Sequence, residues 1–156
     1  MDVPDRLAPW IGPIFEAVPL DVAMPELVEP TPNPLLTSLV EACGHLPPSL
    51  TAGLWLYADD LERSHAICQA DPSPTGSMWH AILHRREGDF WNSKYWLRQA
   101  GAHPAFVGWQ EYDAARLVDQ VQSGWDPGTL LNVQREEWRR LFEWCLTRDA
   151  TVARVP

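Results

Sequence analysis

Two histidines at helical spacing are the first sign of chemistry in this sequence. His80 and His84 are four residues apart in a stretch that predicts a helix, and Glu87 follows three residues later. Residues three and four apart share one face of a helix, so these side chains stack along it. Imidazoles and carboxylates in such an array are ligands of divalent transition metals. The pattern alone is a weak signal, because two histidines on a helix are more often surface or core residues.

A helical hairpin would bring further ligands to this face. We predict helix A over residues 48–69 and helix B over residues 76–87, joined by a short proline-rich turn. Helices joined in this way lie antiparallel, so residues equidistant from the turn face each other. His65 then lies opposite His80. Glu62 shares a helix face with His65 and lies opposite the next histidine of helix B.

The predicted site has a role for each residue. His65, His80 and His84 would hold one divalent ion such as Zn²⁺, Fe²⁺, Mn²⁺ or Ni²⁺. Glu62 and Glu87 would supply a further ligand or a catalytic carboxylate. A site with two histidines and one carboxylate leaves coordination positions open, which suits metal-assisted catalysis.

The same hairpin also supports a purely structural interpretation. It places Asp59 and Asp60 opposite Arg85 and Arg86. The hairpin would then be a lattice of ion pairs whose histidines hydrogen-bond carboxylates and bind no metal. Both interpretations stay open at the level of sequence.

Basic residues are concentrated just after the histidines. In a chain of net charge −9, four of the twelve lysines and arginines lie within residues 85–98. This local excess suits a small anionic ligand, since arginine binds carboxylate or phosphate in a bidentate manner. The predicted substrate-binding residues are Arg85, Arg86, Asn92, Lys94, Tyr95 and Arg98. We expect Arg86 to point into a pocket shared with His80 or His84. The alternative is that neighbouring carboxylates neutralise these cations or that they are solvated.

Composition limits the class of protein. The chain has 156 residues, of which 46% are hydrophobic and 21% charged, as in one soluble globular domain. It has neither an apolar run of membrane-spanning length nor a secretory leader, so we expect no membrane partner. The net charge of −9 and a single lysine argue against nucleic acid. Three separated cysteines predict free thiols in a reducing cytoplasm.

Prolines divide the chain into an arm and a body. Ten of the fifteen prolines fall within residues 1–48, which predicts an extended arm with one short helix at 34–43. The arm also carries Trp10, Ile14 and Phe15. We expect these apolar side chains to be buried against the body or against a second subunit, so a homo-oligomer could form through the arm.

The remainder predicts an all-α fold of about five helices packed as an irregular bundle. The helical domain spans residues 49–150 and a short tail spans 151–156. After helices A and B we expect helix C from a cap at Asp89 to Ala100, helix D over 107–122 and helix E from Asp126-Pro127. Six of the nine tryptophans lie between residues 55 and 125 and would form large packing units.

A long motif in the helical domain resembles a known family. It consists of Ser64-His65, Gln69, Pro74-Thr-Gly-Ser77, Trp79-His80, His84-Arg-Arg-Glu-Gly-Asp-Phe90, Asn92-Ser-Lys-Tyr-Trp96 and Gly101-x-His-Pro104. The motif resembles a family of uncharacterised soluble proteins from bacteria and fungi, over roughly residues 54–145 and without the arm. The family has no established activity. The resemblance therefore implies that the histidines and arginines belong to a family motif, but it implies no catalytic role.

Three hypotheses about function follow from these residues. The first is a small metal-dependent enzyme that acts on a small anionic substrate. The second is a binding module that holds such a ligand without turnover, and the third is a structural or interaction domain with a buried polar network. We rank the enzyme first, because so many different titratable groups are a costly way to join two helices. No motif in the sequence names a reaction.

Overall fold

The computed structural model describes residues 1–149, and this part of the chain contains helices and no strands. The predicted all-α class is therefore confirmed. The described chain has eight α-helices rather than about five. The predicted tail, residues 151–156, lies outside the described residues.

The helices follow one another with short connections. They are α1 (Ala8–Ala17), α2 (Pro34–Glu41), α3 (Pro48–Tyr57), α4 (Leu61–Cys68), α5 (Pro74–Glu87), α6 (Phe90–Ala100), α7 (Ala114–Ser123) and α8 (Pro127–Asp149), with a 3₁₀ helix at Pro104–Phe106. Proline occupies the first turn of several of them, where its missing N–H has no partner to lose. Side-chain caps at Asp60, Ser73 and Asp89 fix the starts of α4, α5 and α6.

The N-terminal arm is partly helical, which corrects the expectation of an extended segment. Helix α1 forms even though Pro13 lies inside it, because Ile11 and Ile14 are fully buried against the body. The ring of Phe15 packs edge-on against aromatic rings of α3 and α8. Trp10 is not buried against the body, since it is 46% exposed in the single chain, and its burial against a second subunit stays a prediction. Burial of the two isoleucines thus stabilises a helix in a segment whose many prolines disfavour one.

Two predicted helices are broken by residues with positive φ. Helix A, predicted over residues 48–69, ends as α3 and restarts as α4 after Asp59, which has a φ of +62°. Aspartate tolerates this left-handed conformation better than most residues. Helix D, predicted over residues 107–122, begins only after a loop that contains Gly108 at a φ of +86°.

Helix α5 runs through the centre of the fold. It contacts α3, α4 and α6, and its side chains from Thr75 to Arg86 are all buried. Gly53 of α3 allows close approach to α5, because a Cβ there would lie 2.8 Å from the ring of Trp79. Trp138 and Phe142 of α8 stack in the same core, 4.6 Å apart between ring centroids. None of the helices within residues 1–149 has the length and apolarity needed to cross a membrane.

Candidate metal centre

Three imidazoles from two helices meet beside the core. His65 lies on α4, and His80 and His84 lie one turn apart on α5. The ring centroid of His80 is 4.8 Å from that of His65 and 4.7 Å from that of His84, and the other two rings are 5.5 Å apart. The structure thus brings together the three histidines that the predicted hairpin places face to face.

The three rings are close to the spacing that one ion requires. One ring nitrogen from each histidine lies within 4.8 Å of the others. Two nitrogens bound to one ion at about 2.1 Å are at most ~4.2 Å apart. In a tetrahedral site the nitrogens lie about 3.4 Å apart, so the side chains must rotate and bring the most distant pair more than about 1 Å closer to bind one ion.

His80 is the most deeply buried member of the cluster. Its side chain is buried, stacked between His84 and the ring of Trp96 at 4.7 and 4.0 Å. Neither of its ring nitrogens has a hydrogen-bond partner among the described protein atoms. Buried polar atoms nearly always have a partner, so the partner of this ring is a group outside the protein, such as a metal ion or an ordered water.

The protonation state of His80 is the one that a metal needs. Burial and the neighbouring imidazoles of His84 and His65 lower the pKa of His80 to about 4. The ring is therefore neutral at pH 7, and a neutral imidazole offers a lone pair to a metal. His65 is only half-buried, so the cluster opens to solvent on the side of α4.

His84 is held by a carboxylate. Its Nδ1 lies 2.9 Å from Oε2 of Glu87 and 3.9 Å from Oδ2 of Asp89. A carboxylate accepts this hydrogen bond, so Nδ1 carries the proton and Nε2 is the nitrogen that remains for a metal. Glu87 is thus a partner of a histidine rather than a member of the three-nitrogen group. Sequence reasoning identified Asp89 as a helix cap and missed its approach to His84.

Glu62 lies away from the three imidazoles. Its side chain is exposed on α4 and lines an acidic cleft of about 310 Å³. The carboxylates of this cleft are Glu29, Asp59, Asp60, Glu62 and Glu87. Its predicted catalytic role stays a prediction, because no contact with the histidines supports it. Trp96, which the sequence analysis placed among the packing tryptophans and in the family motif, is the residue that covers His80.

Arg85 and Arg86 bind carboxylates within the core. Arg85 donates two hydrogen bonds to Glu137, at 3.0 and 2.6 Å. Arg86 donates to Asp59 at 2.5 Å and to the carbonyl oxygens of Leu56 and Glu26 at 2.9 and 3.2 Å. We expected Arg86 to point into a pocket with His80 or His84, and this orientation is wrong. The guanidinium faces the bend between α3 and α4, because its acceptors lie there.

The remaining predicted substrate-binding residues lie on α6. Asn92 donates to Asp89 at 2.6 Å and is linked to His84 through that carboxylate. Lys94 pairs with a carboxylate of α7 at the surface. Arg98 lies over the exposed ring of Tyr95, 5.9 Å from its centroid. Their role in binding a substrate stays a prediction.

His103 is a buried histidine outside the cluster, and both of its ring nitrogens have partners. Nε2 of His103 lies 3.0 Å from the hydroxyl of Thr75, and its Nδ1 accepts from the backbone N–H of Ala105 at 3.2 Å. Since Nδ1 is an acceptor, Nε2 carries the proton and donates to Thr75. His103 therefore cannot remove the hydroxyl proton of Thr75. Burial lowers its pKa to about 4.

The chain has no match among family models, curated proteins or solved structures. The resemblance of residues 54–145 to a bacterial and fungal family therefore stays a prediction. A functional assignment depends on the geometry of the histidine cluster and its surroundings.

Proposed function

We propose that this chain binds one divalent transition metal through His65, His80 and His84 and acts as a small metal-dependent enzyme. The observation that carries the proposal is the buried ring of His80, whose two nitrogens have no protein partner within a cluster of three imidazoles. A buried polar group without a partner costs about 1–3 kcal/mol. A metal bond would give one of the two ring nitrogens of His80 a partner and remove the part of this cost that belongs to that atom.

The ligand set favours one kind of ion and one class of reaction. Three neutral imidazoles suit Zn²⁺ best, although Fe²⁺, Mn²⁺ and Ni²⁺ accept the same ligands. Three protein ligands leave one position of a tetrahedral ion open, and an ion held in this way activates water for hydrolysis or hydration. His65 is the most exposed of the three, so we place the open position on its side of the cluster.

The proposal does not rely on the paired arginines. Arg85 and Arg86 are buried and bound to carboxylates, so neither supports recognition of a small anionic substrate. Lys94 and Arg98 are the predicted cations that solvent reaches. Binding of such a substrate by Lys94 and Arg98 stays part of the proposal.

A structural domain is the second candidate function. The buried pairs Arg85–Glu137 and Arg86–Asp59 favour it, because they join α5 to α8 and to the bend before α4. These pairs do not involve the histidines. A structural role therefore accounts for the arginines and leaves His80 without an explanation.

Metal binding to tag-free protein tests the proposal. After dialysis against a chelator, calorimetric titration with Zn²⁺ is expected to give one site per chain. His80→Leu should abolish the site, and His45→Ala should leave it intact, because His45 is exposed and contacts Trp10 rather than the cluster. Absence of binding, or binding that His80→Leu does not change, would contradict the proposal. Metal-dependent hydrolysis of small esters or phosphoesters, lost in the same variant, tests the enzymatic part.

A further inference from the structure

The end of α5 places two carboxylates around one imidazole. Gly88 adopts a left-handed φ of +79°, which lets the chain reverse after Glu87. The backbone N–H groups of Gly88 and Asp89 then donate to the carbonyl oxygens of Arg85 and His84, at 3.0 and 2.8 Å. As a result Glu87 and Asp89, two residues apart in sequence, both approach Nδ1 of His84.

The two carboxylates have different tasks. Glu87 is within hydrogen-bond distance of Nδ1 at 2.9 Å, whereas Asp89 is not, at 3.9 Å. Asp89 is instead held by Asn92, whose side-chain and backbone N–H groups donate to it at 2.6 and 3.3 Å. Glu87 is therefore the acceptor that orients the ring of His84, and Asp89 adds negative charge nearby.

Helix stability does not explain the position of Glu87. A carboxylate in the last turn of a helix opposes the helix dipole and costs roughly 0.3–1 kcal/mol. Glu87 hydrogen-bonds His84, and no lysine or arginine within the described residues forms an ion pair with it. The side chain thus lies where it weakens its own helix, and its hydrogen bond is to a histidine of the cluster.

We propose that Glu87 is a positioning residue that holds His84 with its proton on Nδ1, so that Nε2 binds the metal. This inference rests on the proposed metal site. A hydrogen-bonded carboxylate behind a metal-binding histidine fixes the ring and makes its other nitrogen a stronger ligand. Loss of such a carboxylate typically weakens metal binding 10- to 100-fold.

Zinc affinity measured by competition with a chelator tests this role. Glu87→Ala is expected to weaken binding about 10- to 100-fold, and Glu87→Gln less, because its amide oxygen still accepts from Nδ1. Glu29→Ala is the matched control, since it removes an exposed carboxylate of the same cleft without a contact to His84. It should bind zinc within about twofold of the wild-type affinity.

Long-range ¹H–¹⁵N spectra of the imidazoles supply a readout that a merely structural role would not move. Wild-type protein should carry the His84 proton on Nδ1, and Glu87→Ala should show a mixture of the two tautomers. Unchanged zinc affinity and unchanged tautomer in Glu87→Ala would overturn the role of Glu87 while leaving the metal site standing. A wild-type chain that binds no zinc would instead overturn the metal site, and this inference with it.

Discussion

Helix α5 carries two buried arginines and a buried histidine that differ in whether their polar atoms have hydrogen-bond partners. Arg85 and Arg86 direct their terminal amino groups to Glu137, Asp59 and backbone oxygens, and only their Nε atoms lack an acceptor. His80, on the same helix, has no partner at either nitrogen among the described residues. The arginines thus come with acceptors for their terminal amino groups. The Nε1 atom of Trp79 also lacks a partner within residues 1–149, so it is the cluster of three imidazoles around His80 that supports a metal there.

Breaking the arginine group should have the largest effect. Arg86→Ala leaves Asp59 buried without its partner and removes donors from two carbonyl oxygens, so we expect a loss of about 3–5 kcal/mol in the free energy of unfolding. Urea denaturation measures this loss. Arg98→Ala, at an exposed position, should change stability by less than about 0.5 kcal/mol. A small loss in Arg86→Ala would show that this guanidinium is free for a ligand after all.

His103 should make the free energy of unfolding depend on pH. The pKa of His103 falls from 6.5 to about 4 on folding, so between these values the unfolded chain binds the proton and the folded chain does not. His103 therefore stabilises the fold above pH 6.5, and this contribution, at most about 3 kcal/mol, is lost as the pH falls to 4.

The variant His103→Asn isolates that contribution. Asparagine can still cap the 3₁₀ helix at Pro104–Phe106 but does not titrate. Chemical denaturation at pH 7 and pH 4.5 should show a smaller loss of stability in the variant than in the wild type. Equal losses in the two proteins would mean that His103 is charged in the folded state.

Replacing His80 should change the free energy of unfolding least and metal binding most. In metal-free protein, His80→Leu is expected to keep or raise the free energy of unfolding by about 1 kcal/mol, because a buried polar group without a partner is removed. Thermal unfolding in a chelator measures this change. A loss of several kcal/mol would indicate that His80 has a partner within the fold.

The sequence was sufficient for the histidine cluster and for the pair of Arg86 with Asp59, but not for the remaining partners of the two arginines. The pairing of His65 with His80 depends only on a short turn between antiparallel helices. The break at Asp59 does not change this pairing, because it precedes both histidines in the chain. The carbonyl oxygens that accept from Arg86 belong to residues 30 and 60 positions away, and the partner of Arg85 is 52 positions away, so local spacing could not predict these contacts.

The positive φ of Asp59 was also beyond the reach of pattern reasoning. The apolar residues on either side continue a helical period, and the break depends on the contact of Asp59 with Arg86. Trp96 was missed as a cover for His80 for a similar reason. Tryptophans on a helix predict packing, and which ring they pack against depends on how α6 lies on α5.

X-ray absorption at the zinc edge of protein loaded with one equivalent of Zn²⁺ tests the metal site most directly. The structure predicts nitrogen ligands at about 2.0–2.1 Å with the outer-shell scattering of three imidazoles, and one further light-atom ligand. The same measurement on His80→Leu should lose this pattern. Sulfur ligands at about 2.3 Å, or a shell of oxygen atoms without imidazole scattering, would contradict the site.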